Sequence, residues 1–148
     1  MSTQVGGGCV VDASTALKWV LDEEGSADAA QLLDGRLLLA PALLRTEAAN
    51  ALWSASRRGR LTAEEAADAL DLILRAPLRV VSEDASLYPR ALQLAHLLDH
   101  PVYDCVYLAL ALQRSMPVVT ADRRFVQAAS RLAEAAPFVR PLMSAPPH

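Results

Sequence analysis

Long apolar runs are missing from this 148-residue chain, and none reaches the ~18 residues that a membrane-spanning helix needs. The N-terminus has no basic segment ahead of an apolar one, so no signal peptide is expected. Cysteine is scarce. Cys9 and Cys105 are the only two, each inside an apolar run, and they form no close metal-type pair. A reducing, cytoplasmic setting suits them. Lysine is scarcer still: Lys18 is the only one among 14 basic residues, set against 17 acidic ones. The net charge of −3 argues against a general nucleic-acid coat. A glycine-rich phosphate loop is absent too, because Gly6-Gly7-Gly8 precedes the first apolar run instead of following it.

What is present suffices for a core. With 53% hydrophobic residues the chain reads as one domain over residues 1–148, with 1–8 as a flexible lead and 141–148 as a loose tail. Cys9-Val10-Val11 is a short β-branched strand that ends in Asp12, and a helical pattern over 15–21 follows, with Ser14 as the expected N-cap. A short helix opens at Gly25-Ser26 and stops at Gly35. Residues 37–40 read as a strand, 42–58 as a long helix ended by Gly59. Thr62-Ala63-Glu64-Glu65 is a capping box for a helix that stops before Pro77. Residues 78–81 form a third strand, 84–98 a helix restarted at Pro89, and 104–114 a helix apolar nearly all round, hence buried. Val118-Val119-Thr120 then repeats the opening device, ending in Ala121-Asp122 before a helix over 123–133. Phe138-Val139 is a last edge strand. This alternation predicts an α/β fold, a central parallel sheet of four or five strands flanked by helices.

In such sheets ligands bind where strand carboxyl ends meet helix N-termini, which draws attention to the acids. Asp12, Asp104 and Asp122 each stand where a helix begins, and each has a simpler account as a cap of free N–H groups. Glu47 has no such account. It lies inside the 42–58 helix, with Asn50 and Ser54 on its face, and the plain alternative is a solvated stripe. Asp104 opens the buried helix between Tyr103 and Tyr107, so its carboxylate must be neutralised, hydrogen-bonded or bound to a metal. Carboxylates brought together repel by roughly 4 kcal/mol per pair at ~4 Å and an effective dielectric of ~20. Mg²⁺ or Mn²⁺ would remove that cost, because hard cations prefer oxygen ligands. Such an ion can also generate hydroxide and clamp a phosphate.

Four segments, in this order and spacing, resemble the PIN domain and, within it, the VapC toxins of toxin–antitoxin pairs. They are Val10-Val11-Asp12-Ala13-Ser14; Ala40-Pro41 with Glu47-Ala48-Ala49-Asn50-Ala51-Leu52; Tyr103-Asp104 with Tyr107-Leu108-Ala109-Leu110-Ala111; and Thr120-Ala121-Asp122-Arg123-Arg124-Phe125. The resemblance covers residues 10–138 and implies a PIN-like three-layer sandwich. It carries the family's metal-binding acids onto Asp12, Glu47, Asp104 and Asp122, adds Thr120 as a hydroxyl beside the metal, and makes Asn50 a support for the glutamate. It further implies a Mg²⁺- or Mn²⁺-dependent endoribonuclease, homodimeric, held inactive by a VapB-type antitoxin. With four acids assigned to one site, the rest of the molecule is nearly neutral, and an arginine rim can still hold an RNA backbone. Arg123 and Arg124 are the first candidates, and Arg45, Arg57, Arg58 and Arg60 are others.

Other constellations are weaker. His96 and His100 stand i, i+4, but the acid between them is Asp99, not the glutamate that a zincin places directly after the first histidine, and His100 at a helix end is more simply a favourable charge. Cys105 has no histidine to activate it and reads as a core thiol. Trp19 and Trp53 read as core or interface. A phospho-acceptor domain also uses strand-end aspartates, yet Ser14 stands where the phosphatase motif has its second aspartate, and a receiver's paired acid and late lysine are missing. Two further alternatives are a non-toxin PIN nuclease of RNA processing and a catalytically inactive PIN binding module. The apolar surplus is expected on the 29–33 and 42–53 helices, facing a second copy and an antitoxin helix.

Overall fold

The computed structural model describes residues 7–82 and 85–143. Most of the expected lead and tail, and the expected helix start at Asp84, lie outside them. Five short strands, β1 (Cys9–Val11), β2 (Leu38–Pro41), β3 (Arg79–Val81), β4 (Val118–Thr120) and β5 (Val139–Pro141), form one sheet in the order β3-β2-β1-β4-β5. Every pairing is parallel, with Val10 facing Leu39 on one side and Val118 on the other. β1 lies at the centre, its residues 0–2% exposed, which is why it is an unbroken apolar run. Pro141 ends β5 at the sheet's edge, where a missing N–H costs no ladder bond.

Seven α-helices flank this sheet among the described residues: α1 (Ala13–Ala16), α2 (Ser26–Gln31), α3 (Leu43–Arg57), α4 (Ala63–Leu74), α5 (Leu87–Leu98), α6 (Val102–Arg114) and α7 (Arg123–Ser130). α1, α3 and α4 pack together, and α5 packs along α6, which crosses β1, β2 and β4. None is long and apolar enough to cross a membrane. The Thr62–Glu65 capping box forms with both bonds, 2.9 and 3.0 Å. α6 is buried on every side from Cys105 to Ala111.

Several boundaries differ from the sequence reading. Ser14 is not the first N-cap; Asp12 is, accepting from the Thr15 amide, and α1 gives way after Ala16 to a 3-10 turn over Leu17–Trp19. Pro89 does not restart α5. It sits in the first turn, where no intrahelical N–H bond is due. α6 begins at Val102, so Asp104 is a first-turn residue and not the cap. α7 stops at Ser130, and the chain then turns so that Ala135 is buried and Val139 enters β5. The apolar surplus is shared more widely than expected. On the 29–33 and 42–53 segments Leu33 and Trp53 are exposed while Leu32, Leu44 and Leu52 are core, and Leu72, Leu74, Tyr88, Leu92, Leu97 and Tyr103 add exposed apolar surface on α4, α5 and α6. Trp53 is exposed under the Arg57 guanidinium, 5.0 Å from its centroid, and Trp19 donates to Ala29 O at 2.8 Å.

Thr62→Ala removes one half of the capping box and should cost about 1 kcal/mol. A urea titration should show a lower midpoint with unchanged slope.

Candidate metal centre

The winding of the chain sets the location. From β1 it proceeds to β2 and β3 on one side, then returns to β4 and β5 on the other. The β1–β4 pair is therefore the switch point, and its carboxyl end is where open α/β sheets bind ligands. Asp12 follows β1 directly, Thr120 ends β4, and Asp122 caps α7 two residues on. α6 runs into β4 at the sheet's amino edge, so its first turn, with Asp104, lies at the carboxyl edge.

Asp12 is only 3% exposed. Its Oδ1 accepts from Ser14 Oγ at 2.7 Å and the Thr15 amide at 3.0 Å, and its Oδ2 accepts from Thr120 Oγ1 at 2.5 Å. The same two hydroxyls reach onward. Ser14 Oγ accepts from the Ala121 amide and Thr120 Oγ1 from the Asp122 amide, both at 3.0 Å. The end of β1 is thus stitched to the end of β4. Burial nevertheless pushes the Asp12 carboxyl up to about 6, against the pull of those three donors and with the nearby Asp104 charge adding to it.

The other acids are arranged around Asp104. Its Oδ2 accepts from His100 Nε2 at 2.6 Å; burial raises its pKa, the His100 bond opposes, and the Asp122 charge adds. Glu47, half-buried on α3, accepts from the Tyr107 hydroxyl at 2.6 Å. Its pKa is raised by burial first, opposed by Tyr107 and reinforced by Asp104. Tyr107 is fully buried, and desolvation followed by the Glu47 charge pushes its phenol well above the usual range. Asp122 accepts from the Arg124 amide at 2.9 Å. Asp104 is therefore the common electrostatic neighbour of the other three acids.

Among the described residues no three His, Cys, Asp or Glu side chains stand close enough to form a closed cation nest. Mg²⁺ seldom uses one; it keeps several waters and takes one or two carboxylates. The donors here are oxygens, buried and mutually repelling, which suits such a hard ion. They do not suit zinc, since His96 is exposed and His100 is committed to Asp104. Asn50 is exposed and makes no bond to Glu47, which Tyr107 holds instead. Arg123 and Arg124 are exposed, and Arg123 lines a small cleft with Thr120 and Asp122. Sequence reading missed the holding roles of Ser14, His100 and Tyr107. A signal existed for His100 alone, which stands four residues before Asp104, just ahead of the helix that carries it.

The PIN domain family model matches residues 9–131. Solved structures with the same fold include a protein from Pyrobaculum aerophilum, 24% identical, TM-score 0.61, covering 82% of this chain and 78% of that one. VapC20 of Mycobacterium tuberculosis, described as a sarcin–ricin loop cleaving toxin, is 16% identical with a TM-score of 0.63 over 81% of this chain and 94% of its own. A chain of VapBC2 from Rickettsia felis, solved with a DNA fragment of its promoter, is 11% identical with a TM-score of 0.66 over 90% and 98%. Comparison with curated protein sequences gives no match.

A carboxyl raised from 3.8 to about 6 on folding binds its proton more tightly in the native state. Its contribution is full below pH 4 and is lost as pH rises to 6. The loss amounts to about 3 kcal/mol for a shift of this size. In the metal-free protein, Asp12→Asn should therefore be more stable than wild type at pH 7.5, with the advantage gone at pH 4. Urea melts at the two pH values measure it.

Proposed function

Because the chain belongs to the PIN domain family, we propose that it is a metal-dependent endoribonuclease that hydrolyses RNA phosphodiesters in the cytoplasm, as the toxin of a toxin–antitoxin pair. The observation that carries this reading is Asp12, a carboxylate buried at the switch point with Asp104 beside it. A fold holding that charge for stability alone would do better with an amide or an apolar side chain. Asp12, Glu47, Asp104 and Asp122 would hold Mg²⁺ or Mn²⁺. When bound, such an ion activates water and neutralises charge developing on a phosphate.

The remaining work falls to the chain's own groups. Thr120 and Ser14 fix both oxygens of Asp12 by donating to them, so this acid keeps its orientation as substrate arrives. Tyr107 holds Glu47 through one oxygen. Arg123 and Arg124 flank Asp122 from the solvent side and would grip the RNA backbone as point charges, while Asn50, exposed one turn from Glu47, would contact the substrate. VapC20 and VapBC2, one a toxin by its description and the other solved with promoter DNA, support the toxin reading and a VapB-type antitoxin partner. Exposed Tyr88, Leu92, Leu97 and Tyr103 offer apolar surface for a second copy of the chain, since patches of this kind mark interfaces.

Asp12→Asn should keep the fold and lose cleavage by at least about 100-fold, since an amide is a poor ligand for a hard cation. Undiminished cleavage by this variant at saturating Mg²⁺ would remove Asp12 from the site. Mapped RNA ends should carry 5′-phosphate and 3′-hydroxyl; a 2′,3′-cyclic phosphate, or cleavage persisting in EDTA, would mean attack by the ribose hydroxyl instead.

Light scattering at micromolar concentration should give a dimer. Co-expression with a small adjacent gene for a DNA-binding protein should relieve toxicity and yield a complex. Failure of both would leave a free-standing PIN nuclease.

A further inference from the structure

The bend between α5 and α6 is unusually well tied. Asp99 ends α5 in the left-handed region, φ 49°, the His100 amide donates to Ala95 O at 3.1 Å, and Pro101 precedes α6 as its N-cap. On the α5 side of the bend, Arg131 beyond α7 also donates to Leu98 O at 2.8 Å. The His100 backbone therefore has little freedom. Its side chain, 11% exposed, makes two contacts of different kinds. Nε2 meets Asp104 Oδ2 at 2.6 Å, and the ring stacks on Phe125, centroids 5.6 Å apart and planes 15° from parallel. Phe125 is fully buried in the first turn of α7, the helix that Asp122 caps.

One imidazole thus touches the α6 acid and the core of the helix that begins at the α7 acid. We propose that His100 is a positioning residue that aims Asp104 toward a bound divalent ion and holds it in register with Asp122. The inference rests on the metal-dependent reading above. Carboxylate geometry supports it. His100 occupies Oδ2, and Oδ1 makes no hydrogen bond among the described residues, so the side chain presents one chosen oxygen. Freed of His100, the Asp104 carboxylate would turn about its own torsions, and an ion would have to freeze that motion on binding. Ligand-orienting partners of this kind are commonly worth 10–100-fold in metal affinity.

A structural wedge would also explain a buried ring against Phe125, and two substitutions separate the accounts. His100→Phe keeps a ring on Phe125 and removes the donor. His100→Gln places an amide N–H near the Nε2 position and removes the ring. Mn²⁺ binding to the metal-free proteins, read from the free-Mn²⁺ electron paramagnetic resonance signal, is compared with thermal melts of the same samples. Positioning predicts that the Phe variant melts near wild type but binds Mn²⁺ about tenfold more weakly, and that the Gln variant stays within about threefold of wild type. In cleavage assays the Phe variant should need correspondingly more Mn²⁺, with the KM for RNA unchanged. Wild-type affinity in the Phe variant, or equal losses in both, would overturn the proposal. A wild-type protein that binds no Mn²⁺ would instead overturn the metal-dependent reading, and this inference with it.

Discussion

The structure is organised around the cost of keeping the Asp12 carboxylate out of water at the end of the central strand. A charge there needs donors on every side, and the fold supplies them from two strand ends at once. Ser14 and the Thr15 amide come from the turn after β1, and Thr120 comes from the end of β4. Those bonds also define the β1–β4 seam, because Ser14 and Thr120 each accept a backbone amide from residues 121–122. The crevice and the acid at its floor are therefore one construction. The three donors still fall short of water, since the Asp12 carboxyl remains raised to about 6.

The other acids show the same division of labour at lower burial. Glu47 and Asp104 each have one oxygen held by a residue outside their own helix: Glu47 by Tyr107 across 60 positions, Asp104 by His100 in the bend that precedes α6. Both holders are ring side chains packed into the core, so each acid inherits the rigidity of the interior. The pattern leaves the other oxygen of Glu47 and of Asp104 without a hydrogen bond among the described residues. A site built so is oriented but not closed, which suits the proposed binding of an ion and a phosphate.

Much of this was legible in the chain itself. β1 and β4 are short, β-branched and closely followed by acids, the composition expected of central parallel strands buried on both faces. The Thr62 capping box and the buried α6 followed from local pattern alone. The failures have a common physical cause: one residue type serves two masters. Ser14 and Asp12 are both good N-caps, and only the tertiary need to hold Thr120 decides that Asp12 caps while its neighbour donates. Pro89 is a helix breaker in general and harmless in a first turn. Arg131, Leu132 and Ala133 favour helix locally, but α7 stops at Ser130 and the chain then turns so that Ala135 is buried. The partnership of Tyr107 with Glu47 was out of reach, because contacts between distant helices leave no trace in the periodicity of either one.

A chain of net charge −3 poses a last question, how it would approach a polyanion. Its acids are not spread evenly. Asp12, Glu47, Asp104 and Asp122 are buried or half-buried at the crevice, two with an oxygen taken by a ring and one with both oxygens taken by hydroxyls and an amide. The field they project is therefore smaller than their number suggests. Arg58, Arg123 and Arg124 are among the exposed arginines, the last two flanking the crevice at the start of α7, with side chains in no ion pair among the described residues. Formal charge counts acids and bases alike, whereas an approaching backbone meets first the charges that reach into water. A divalent ion held there, as proposed, would offset part of the negative charge on the floor of the crevice and leave the arginine rim to meet the phosphate backbone.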